Sequence, residues 1–373
     1  MSLGPSLDLD FLVVGGGPAG SACAIQLAKA GGRVAIVESS DFSQFRIGET
    51  LEPSLGPTLL QLGLEIEKRE WSAPCLGITA AWGRSSAARR PNIFSPYGGS
   101  WRVDRRKFDR ALFERARNAG ATAFLEARVT SAARHAECWT YGLRRGDSVA
   151  SGRAKWIVAA TGRGASLPFA PSRSRTWIDR LVGLAFVKDG RAEDRGTVVG
   201  RAIVAATPRG WWYSATIPEG SQVAVFFSDA DILPKGGNDR AEFLLTELRQ
   251  CPLMETESDF VAALIGQRRW IGFDARSSIH HVVVSDGWAA VGDAIMAFDP
   301  LCGRGISEAI NSGMEVADWM LRWRTTEPAR DELPAWVGRA ADRFNRYRDE
   351  RRSAYCHETR WPASMFWQRR HIS

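Results

Sequence analysis

The stretch Phe11-Leu12-Val13-Val14-Gly15-Gly16-Gly17-Pro18-Ala19-Gly20 places an apolar run directly before a glycine-rich turn. Residues 18–30 are alanine-rich and helical in pattern, and a second apolar run occupies residues 34–37. The order strand, turn, helix, strand is the βαβ unit that opens a dinucleotide-binding sheet. We therefore predict an α/β fold that begins with such a unit.

The spacing of the glycines suits a bound pyrophosphate. Gly15 permits the tight reversal, Gly17 lets the backbone approach the phosphates, and Gly20 lets the helix pack on the strand. The N-terminus of the helix adds partial positive charge at the same place. Glu38 closes the second apolar run, where its carboxylate can accept hydrogen bonds from ribose hydroxyls. Because a purely structural turn would not explain Glu38, these residues predict a dinucleotide site.

Composition excludes several classes of protein. The chain has 373 residues, which suits two domains with large buried cores. The six cysteines form no CxxC pair, so we predict neither a disulfide framework nor a metal site. We find no basic signal-peptide region and no apolar run of the roughly 20 residues that a membrane span needs, and therefore expect a cytoplasmic protein without a membrane partner. The formal net charge of +7 comes without a nucleic-acid-binding motif, so we expect no nucleic-acid partner.

The rest of the chain shows two patterns of hydrophobicity. Strand-like runs that return to the first sheet end at Thr161-Gly162 and at Gly292-Asp293, whereas the segments between them alternate apolar and polar residues as antiparallel strands do. Helices are expected over residues 102–119, 239–250 and 304–324. We predict a discontinuous nucleotide-binding domain (1–75, 101–165 and 275–326), an antiparallel-sheet substrate domain interwoven with it (76–100 and 166–274), and a C-terminal basic and aromatic helical tail (327–373).

Four further segments of the sequence indicate which dinucleotide is expected. They are Arg46-Ile47-Gly48-Glu49-Thr50, Asp104-Arg105-Arg106-Lys107-Phe108-Asp109, Ala159-Ala160-Thr161-Gly162-Arg163, and Val291-Gly292-Asp293 with Asp299-Pro300-Leu301-Cys302-Gly303-Arg304-Gly305-Ile306. With the first turn they resemble the FAD-dependent aromatic monooxygenase superfamily, which has the p-hydroxybenzoate hydroxylase fold, across essentially the whole chain. The resemblance is close to the tryptophan-halogenase-like branch. It implies FAD as the cofactor, bound by a GR2-type Rossmann-like domain.

The resemblance also implies roles for individual residues. Arg46 and Arg105 would contact the FAD phosphates or ribityl chain, although each could instead form a surface ion pair, and Asp293 would hydrogen-bond the ribityl or pyrophosphate region. Gly305 and Ile306 would offer backbone N–H groups to the N1/O2 edge of the isoalloxazine, which carries negative charge when reduced. The remaining cofactor-binding candidates are Gly162, Gly292 and Pro300.

An aromatic segment of the expected substrate domain resembles a halogenase signature. Residues 210–218, Gly-Trp-Trp-Tyr-Ser-Ala-Thr-Ile-Pro, correspond to GWxWxIP with the Ile-Pro pair two residues late. Because strand side chains alternate between faces, Trp211 and Tyr213 share one face. We predict that this face forms a wall of the substrate cavity, opposite Trp82. Glu49 is a candidate catalytic residue, although a structural hydrogen bond to neighbouring backbone would explain it equally well.

The resemblance implies hydroxylation of an aromatic ring through a flavin C4a-hydroperoxide, and the aromatic substrate sheet favours an indole as that ring. Residues 76–84, which correspond to the halogenase tunnel strand, contain no lysine, and this disfavours halogenation. A prenyl-chain reductase of the geranylgeranyl-reductase type shares the Gly292 and Asp299 motifs but needs a long apolar tunnel. A non-catalytic flavin-binding maturation protein, docked through its basic C-terminal helix, also stays open.

Two further points concern partners. Thr161-Gly162 stands where hydroxylases that use NAD(P)H directly usually carry Asp-Gly, so both NAD(P)H and a separate flavin reductase stay open as the electron source.

A narrower similarity, to the LodB- and QhpG-type flavoproteins that mature tryptophan-derived quinone cofactors, is carried by several aromatic segments of the sequence. They are Ala81-Trp82-Gly83, residues 93–98, Trp101-Arg102-Val103-Asp104-Arg105, residues 210–218, and Arg360-Trp361-Pro362 with Phe366-Trp367-x-Arg369-Arg370. That similarity implies a precursor protein bearing the target tryptophan as the substrate.

Overall fold

The structure is a computed structural model that describes residues 7–84, 86–90, 99–163, 175–190, 200, 202–281, 283–285, 287–325 and 332–372. Residues 93–98, one of the aromatic segments, lie outside the described residues. In chain order the strands are β1 (Asp8–Val14), β2 (Val34–Val37), β3 (Thr50–Leu51), β4 (Ser72–Cys75), β5 (Ile78–Ala81), β6 (Ala88–Arg90), β7 (Ser100–Val103), β8 (Thr122–Phe124), β9 (Arg128–Arg134), β10 (Trp139–Arg145), β11 (Ser148–Ala159), β12 (Arg175–Trp177), β13 (Leu181–Lys188), β14 (Ala202–Thr207), β15 (Gly210–Thr216), β16 (Gln222–Asp229), β17 (Ile271–Asp274), β18 (Ser278–His280), β19 (Val284–Ser285), β20 (Trp288–Ala290) and β21 (Met296–Ala297). The helices are α1 (Pro18–Lys29), α2 (Gly56–Gln61), α3 (Arg105–Asn118), α4 (Gly237–Arg249), α5 (Glu255–Gly266), α6 (Gly305–Thr325), α7 (Glu332–Cys356) and α8 (Met365–Ile372).

The first sheet has the strand order β19-β20-β11-β1-β2-β8, and the antiparallel strands β10 and β9 extend it beside β11. β1 pairs in parallel with both β2 and β11, and α1 makes the crossover from β1 to β2. Residues 11–14 and 34–37 are buried, as expected for parallel strands covered on both faces. A methyl group on Gly313 of α6 would lie 2.2 Å from the carbonyl oxygen of Ala19, so α1 and α6 are in close contact on this sheet.

The second large sheet has the order β17-β13-β16-β15-β14-β5-β6 and is antiparallel except for the pairing of β5 with β14. Alternation along β15 sends its two tryptophans to opposite faces. Trp212 packs in a core with residues of α4 and α5, such as Leu244 and Val261. Trp211 packs on the other face, with Phe227 and with Trp367 of α8. One face of the sheet is therefore covered by α4 and α5, and part of the other by the C-terminal helices.

The C-terminal helices are part of the core. Tyr347 of α7 is buried in the core of the parallel sheet, while Tyr355 of the same helix and Trp367 of α8 are buried against the antiparallel sheet. A segment that sequence describes as a basic tail thus contacts both sheets with its apolar side chains.

The α/β class predicted from the sequence is confirmed, with a parallel nucleotide-type sheet and an antiparallel sheet in one chain. The proposed domain boundaries stay a prediction. A three-stranded sheet, β12-β18-β21, combines residues assigned to both proposed domains, which agrees with an interwoven arrangement. None of the helices in the described part of the chain could span a lipid bilayer.

Candidate active site

A cavity of about 860 Å³ is lined by residues of both large sheets. One group comes from the β1–α1 turn, the end of β2 and the start of α3, and a second from the turn before α6. A third group, Trp211, Tyr213, Phe227 and Phe273, comes from the antiparallel sheet. This volume lies in the range of small-molecule and cofactor sites.

The β1–α1 turn depends on glycine at two positions. Gly15 has φ of +111°, and a methyl group there would lie 2.2 Å from the carbonyl oxygen of Ala160 on the neighbouring strand. A methyl group on Gly20 would lie 2.0 Å from the carbonyl oxygen of Gly15. At Gly17, which lines the cavity and caps α1 without a side-chain hydrogen bond, a methyl group would meet no atom within 4 Å. The turn therefore packs tightly on the protein side and is open on the cavity side, as a phosphate site requires.

Glu38 is held beside this turn by hydrogen bonds to both carboxylate oxygens. Oε2 accepts from the backbone N–H of Gly16 (2.7 Å), and Oε1 accepts from the backbone N–H and the hydroxyl of Ser40 (2.8 and 2.7 Å). Three of the roughly four acceptor positions of the carboxylate are thus used, and Oε2 retains the fourth. Glu38 lines the cavity and is therefore placed where a ribose hydroxyl could donate to it.

Arg46 and Arg105 both line the cavity and share one buried partner, Asp109. Arg46 donates to Oδ2 of Asp109 at 3.0 Å, and Arg105 donates to both of its carboxylate oxygens at 3.0 Å. Burial alone would lower the pKa of Arg105, but the Asp109 carboxylate outweighs it and the pKa is raised. Asp109 is absent from the predicted site; its position four residues after Arg105 on α3 was the available signal.

Arg163 joins three loops at the cavity wall, a role that the sequence did not reveal. Its Nε donates to Oδ2 of Asp293 at 3.1 Å. Its two terminal nitrogens donate to the backbone carbonyl oxygens of Arg276 and Phe298, both at 2.6 Å. Gly162 before it lines the cavity with φ of +74°.

Gly292 acts behind the cavity wall. It has φ of +63°, and a methyl group there would lie 2.8 Å from the side chain of Ala19 in α1. Gly292 is not among the described residues that line the cavity, whereas its neighbour Asp293 is. A glycine at this position thus allows α1 to approach, and any contact with a ligand falls to its neighbours.

The turn before α6 is fixed by Asp299. The buried Oδ1 accepts from the backbone N–H of Leu301 at 2.9 Å, and Gly303 reverses the chain with φ of +67°. Pro300, Gly305 and Ile306 line the cavity, so the N-terminus of α6 faces it. Burial raises the pKa of the neighbouring Cys302 thiol to about 12, which keeps this side chain neutral.

The aromatic wall contains Trp211 and Tyr213 but not Trp82. The Trp211 ring stacks on Phe227 with centroids 4.1 Å apart. Trp82 packs edge-on against Trp211 and Trp367, and its Nε1 donates to the carbonyl oxygen of Ala354 at 2.8 Å. Because this bond draws the ring toward α7, Trp82 supports Trp211 from behind and is not among the described lining residues. This corrects the expectation that Trp82 faces the cavity opposite Trp211.

Glu49 lies in the cavity wall beside Tyr213, which donates to its Oε2 at 3.0 Å. Arg102, fully buried and unpredicted as a site residue, donates to the Tyr213 hydroxyl at 3.0 Å. Burial and the Glu49 carboxylate raise the pKa of Tyr213. Oε1 of Glu49 has no hydrogen-bond partner among the described residues. The side chain therefore does not make the backbone hydrogen bond offered as its structural explanation, and one buried acceptor is left free.

Together, a phosphate-type glycine turn, a cationic pair and a second helix N-terminus facing the same cavity define a dinucleotide-dependent oxidoreductase. The family model described as FAD binding domain matches residues 8–335, and the chain belongs to this family, within the FAD-dependent aromatic monooxygenase superfamily. FAD is therefore the cofactor. Within the described residues no group of three or more His, Cys, Asp or Glu side chains is placed to hold a metal ion.

Three known proteins illustrate the similarity. LodB of Marinomonas mediterranea, named as an FAD-dependent oxidoreductase, is 27% identical in an alignment that covers 97% of this chain and 96% of LodB. The structure of QhpG, a peptidyl tryptophan dihydroxylase essential for tryptophylquinone cofactor biogenesis, superposes with a TM-score of 0.79 at 25% identity and covers 98% of this chain and 79% of QhpG. The flavin-dependent halogenase CmlS superposes with a TM-score of 0.81 at 23% identity and covers 100% of this chain and 68% of CmlS.

Proposed function

We propose that this FAD-dependent oxidoreductase hydroxylates an indole-type aromatic ring, and that the ring belongs to a tryptophan of a partner protein during quinone cofactor biogenesis. The observation that carries the proposal is the single cavity that joins cofactor-type turns to an aromatic wall built from Trp211, Tyr213 and Phe227. The similarity to QhpG, whose substrate is a peptidyl tryptophan, supports the identity of the ring.

The cofactor-binding residues are proposed as follows. Gly15, Gly17 and Gly20 shape the turn that takes the pyrophosphate at the start of α1, and Glu38 takes the ribose. A second set, Arg46, Arg105, Gly162, Asp293 and Pro300, lines the cavity and would contact the middle of the cofactor, and Gly292 supports this set from behind by letting α1 approach. When bound and reduced, FAD would supply the two electrons that activate O₂, and O₂ would supply the oxygen atom.

The chain's own residues bind, orient and shield the ring. The backbone N–H groups of Gly305 and Ile306, at the N-terminus of α6, line the cavity and would stabilise negative charge on the reduced cofactor. Trp211 and Phe227 offer apolar ring faces that exclude water from the substrate. We propose that the ring N–H of the substrate donates a hydrogen bond to the free Oε1 of Glu49, because an acceptor buried without a partner favours a ligand that supplies a donor. Tyr213 and Arg102 hold that carboxylate in place.

Two other reactions, halogenation and reduction of a prenyl chain, are alternatives to hydroxylation. Halogenation is disfavoured because residues 76–84 contain no lysine, although CmlS has this fold. Reduction of a prenyl chain is disfavoured. An indole ring could pack on the aromatic wall and donate its N–H to the free carboxylate oxygen, whereas an alkyl chain has no donor for that oxygen.

The deciding experiment supplies reduced, FAD-loaded protein with oxygen and with each of four candidates: free tryptophan, a tryptophan-bearing precursor of a quinone-dependent amine oxidase or dehydrogenase, a prenyl diphosphate, and tryptophan with bromide. Mass spectrometry should find added oxygen on an indole, and preferentially on the precursor protein. A saturated prenyl chain or a brominated indole without hydroxylated product would reject the proposal.

The electron source is settled by the same assay. We propose that a separate flavin reductase delivers the electrons, since Thr161-Gly162 replaces the Asp-Gly of hydroxylases that use NAD(P)H directly. NADH or NADPH alone should then support no turnover, while addition of a flavin reductase should restore it. Turnover at full rate with NAD(P)H alone would show direct reduction.

A further inference from the structure

Tyr355 of α7 connects the aromatic wall of the cavity to the turn that precedes α6. Its hydroxyl accepts a hydrogen bond from Nε1 of Trp211 at 3.1 Å and donates one to Oδ2 of Asp299 at 2.9 Å. All three side chains are buried, with at most 1% of each residue exposed. Trp211 and Asp299 both line the cavity, whereas Tyr355 lies behind it. One buried hydroxyl thus bridges the substrate side and the cofactor side.

The Asp299 end of this bridge fixes the shape of the turn. Oδ1 of Asp299 accepts from the backbone N–H of Leu301, and Oδ2 accepts from Arg351 at 3.2 Å as well as from Tyr355. The backbone N–H of Asp299 donates to the hydroxyl of Tyr347 at 2.8 Å. Arg351, Tyr347 and Tyr355 all belong to α7, so a single helix holds the carboxylate that shapes the start of α6.

The Trp211 end is held by the same helix. Trp82 packs edge-on against Trp211 and donates to the carbonyl oxygen of Ala354, the residue before Tyr355. The Tyr355 ring also contacts Trp82 and Trp367, with centroids 5.7 and 5.9 Å away. Contacts with α7 therefore hold both the aromatic wall and the turn before α6.

We propose that Tyr355 is a positioning residue that sets the separation between the substrate ring and the cofactor, and so determines how efficiently oxygen reaches the ring. This inference rests on the proposed hydroxylation. In the productive reaction, O₂ and the two electrons of reduced FAD place one oxygen atom on the ring and release the other as water. With a misplaced ring, the same two electrons and two protons leave on O₂ as hydrogen peroxide, and the ring is unchanged.

The test compares Tyr355→Phe, which keeps the ring and removes both hydrogen bonds, with Tyr141→Phe, a control at a buried tyrosine of the parallel sheet. The first readout needs no catalysis: amide hydrogen exchange of residues 299–306 in the protein without and with FAD. Loss of a buried hydrogen bond should accelerate exchange there about 5- to 10-fold in Tyr355→Phe and leave it unchanged in Tyr141→Phe. The second readout is hydroxylated product formed per reductant consumed, which should fall in Tyr355→Phe while hydrogen peroxide rises.

A folded Tyr355→Phe variant with unchanged exchange over residues 299–306, or with an unchanged ratio of product to reductant, would overturn the inference. If even the unaltered protein forms no hydroxylated product, the proposed function fails, and exchange alone decides whether Tyr355 positions the turn. Should Tyr355→Phe fail to fold, Trp211→Phe breaks the wall end of the bridge and also shortens a ring of the wall, so Phe227→Leu, which alters the wall and leaves the bridge intact, is its control. The product ratio should fall further in Trp211→Phe than in Phe227→Leu, with exchange over residues 299–306 unchanged in both; an equal fall in the two variants would overturn the role.

Discussion

At the scale of single residues, Gly17 and Gly20 differ in what an added methyl group would meet. At Gly20 it would lie 2.0 Å from a carbonyl oxygen, whereas at Gly17 it would meet nothing within 4 Å and would point into open space. Gly20 is therefore needed by the fold, and Gly17 is proposed to be needed by the ligand. The two roles separate folding from cofactor binding.

We expect Gly20→Ala to lower the free energy of unfolding of the cofactor-free protein by about 1–3 kcal/mol, because α1 must move off β1. Gly17→Ala should change it by less than about 1 kcal/mol, because the residue stands at an N-cap with ordinary backbone angles. Both variants should bind FAD more weakly. Denaturant unfolding without FAD and fluorescence titration with FAD measure the two effects, and full FAD affinity in Gly17→Ala would contradict the assignment.

The free oxygen of Glu49 predicts a preference for substrates with a ring N–H. Removing the donor from the ligand leaves that acceptor unsatisfied, so the unaltered protein should bind an N-methylated indole about 5- to 100-fold more weakly than the parent indole. In Glu49→Gln the amide can turn an N–H toward the ligand, and the preference should disappear. Equal affinity of the unaltered protein for both ligands, measured by titration, would refute the role of Glu49.

Cys302 offers a test of local electrostatics. Burial raises the pKa of its thiol to about 12, so at pH 8 only about one molecule in ten thousand carries the reactive thiolate. Cys356 is exposed and serves as the internal control. After iodoacetamide treatment of the native protein at pH 8, peptide mass spectrometry should find Cys356 alkylated and Cys302 unmodified. Alkylation of Cys302 at a rate similar to that of Cys356 would show an environment unlike the one described.

At the scale of elements, local pattern located the βαβ unit but not the contacts that complete the site. The expected helix over residues 18–30 is α1 (Pro18–Lys29), and the expected helix over 304–324 is α6 (Gly305–Thr325), because apolar periodicity and glycine breaks are local signals. β11 begins earlier than its apolar run, since residues 148–154 alternate and pair with β10. Arg163 and Arg102 were missed as site residues because their partners are set by tertiary packing, which no motif encodes, whereas Asp109 pairs with Arg105 at a local i,i+4 spacing.

The junction between α7 and α8 carries a prediction of its own. Glu358 is buried and accepts hydrogen bonds from the backbone N–H of Gly83 (2.8 Å) and from the Arg360 guanidinium (2.9 Å). Burial alone would raise the pKa of Glu358, but the hydrogen bonds from Arg360 and Gly83 outweigh it and the pKa is lowered from 4.5. A carboxyl whose pKa is lower in the folded state stabilises that state above its unfolded pKa, and this contribution is lost as the pH falls through the folded pKa.

Glu358→Gln should therefore cost about 1–3 kcal/mol of stability at neutral pH and less as the pH falls below 4. Asp349→Asn is the control, because Asp349 is exposed and its pairing with Arg352, at 3.8 Å, should be worth less than about 1 kcal/mol. Thermal unfolding at neutral and acidic pH measures both variants. A loss of stability in Glu358→Gln that does not depend on pH would mean that packing, and not the charge, is what Glu358 contributes.

At the scale of the whole molecule, α7 and α8 pack against both large sheets. Tyr347 packs in the core of the parallel sheet, and Trp367 is fully buried against the antiparallel sheet, where its Nε1 donates to the carbonyl oxygen of Thr207 at 2.9 Å. Arg370 pairs with the buried Asp229 at 2.7 Å. Contacts between residues this far apart in sequence cannot be derived from local pattern, which is why the sequence predicted a basic and aromatic helical tail but not its place in the shared core.

This arrangement predicts how the protein unfolds. FAD release and tryptophan exposure should occur in a single thermal transition, because neither sheet keeps its packing without the C-terminal helices.

Trp367→Ala should remove about 3–5 kcal/mol of stability by leaving a cavity beside Trp211 and Trp82. FAD at 100 times its dissociation constant restores only about 2.7 kcal/mol, and it does so at the parallel sheet, so the two signals should separate in this variant. Trp361→Ala, at a half-buried ring stacked on Trp367, is the control and should keep one transition. Coincident transitions in Trp367→Ala would mean that the sheets are coupled directly through the cavity, and that the C-terminal helices add stability without linking them.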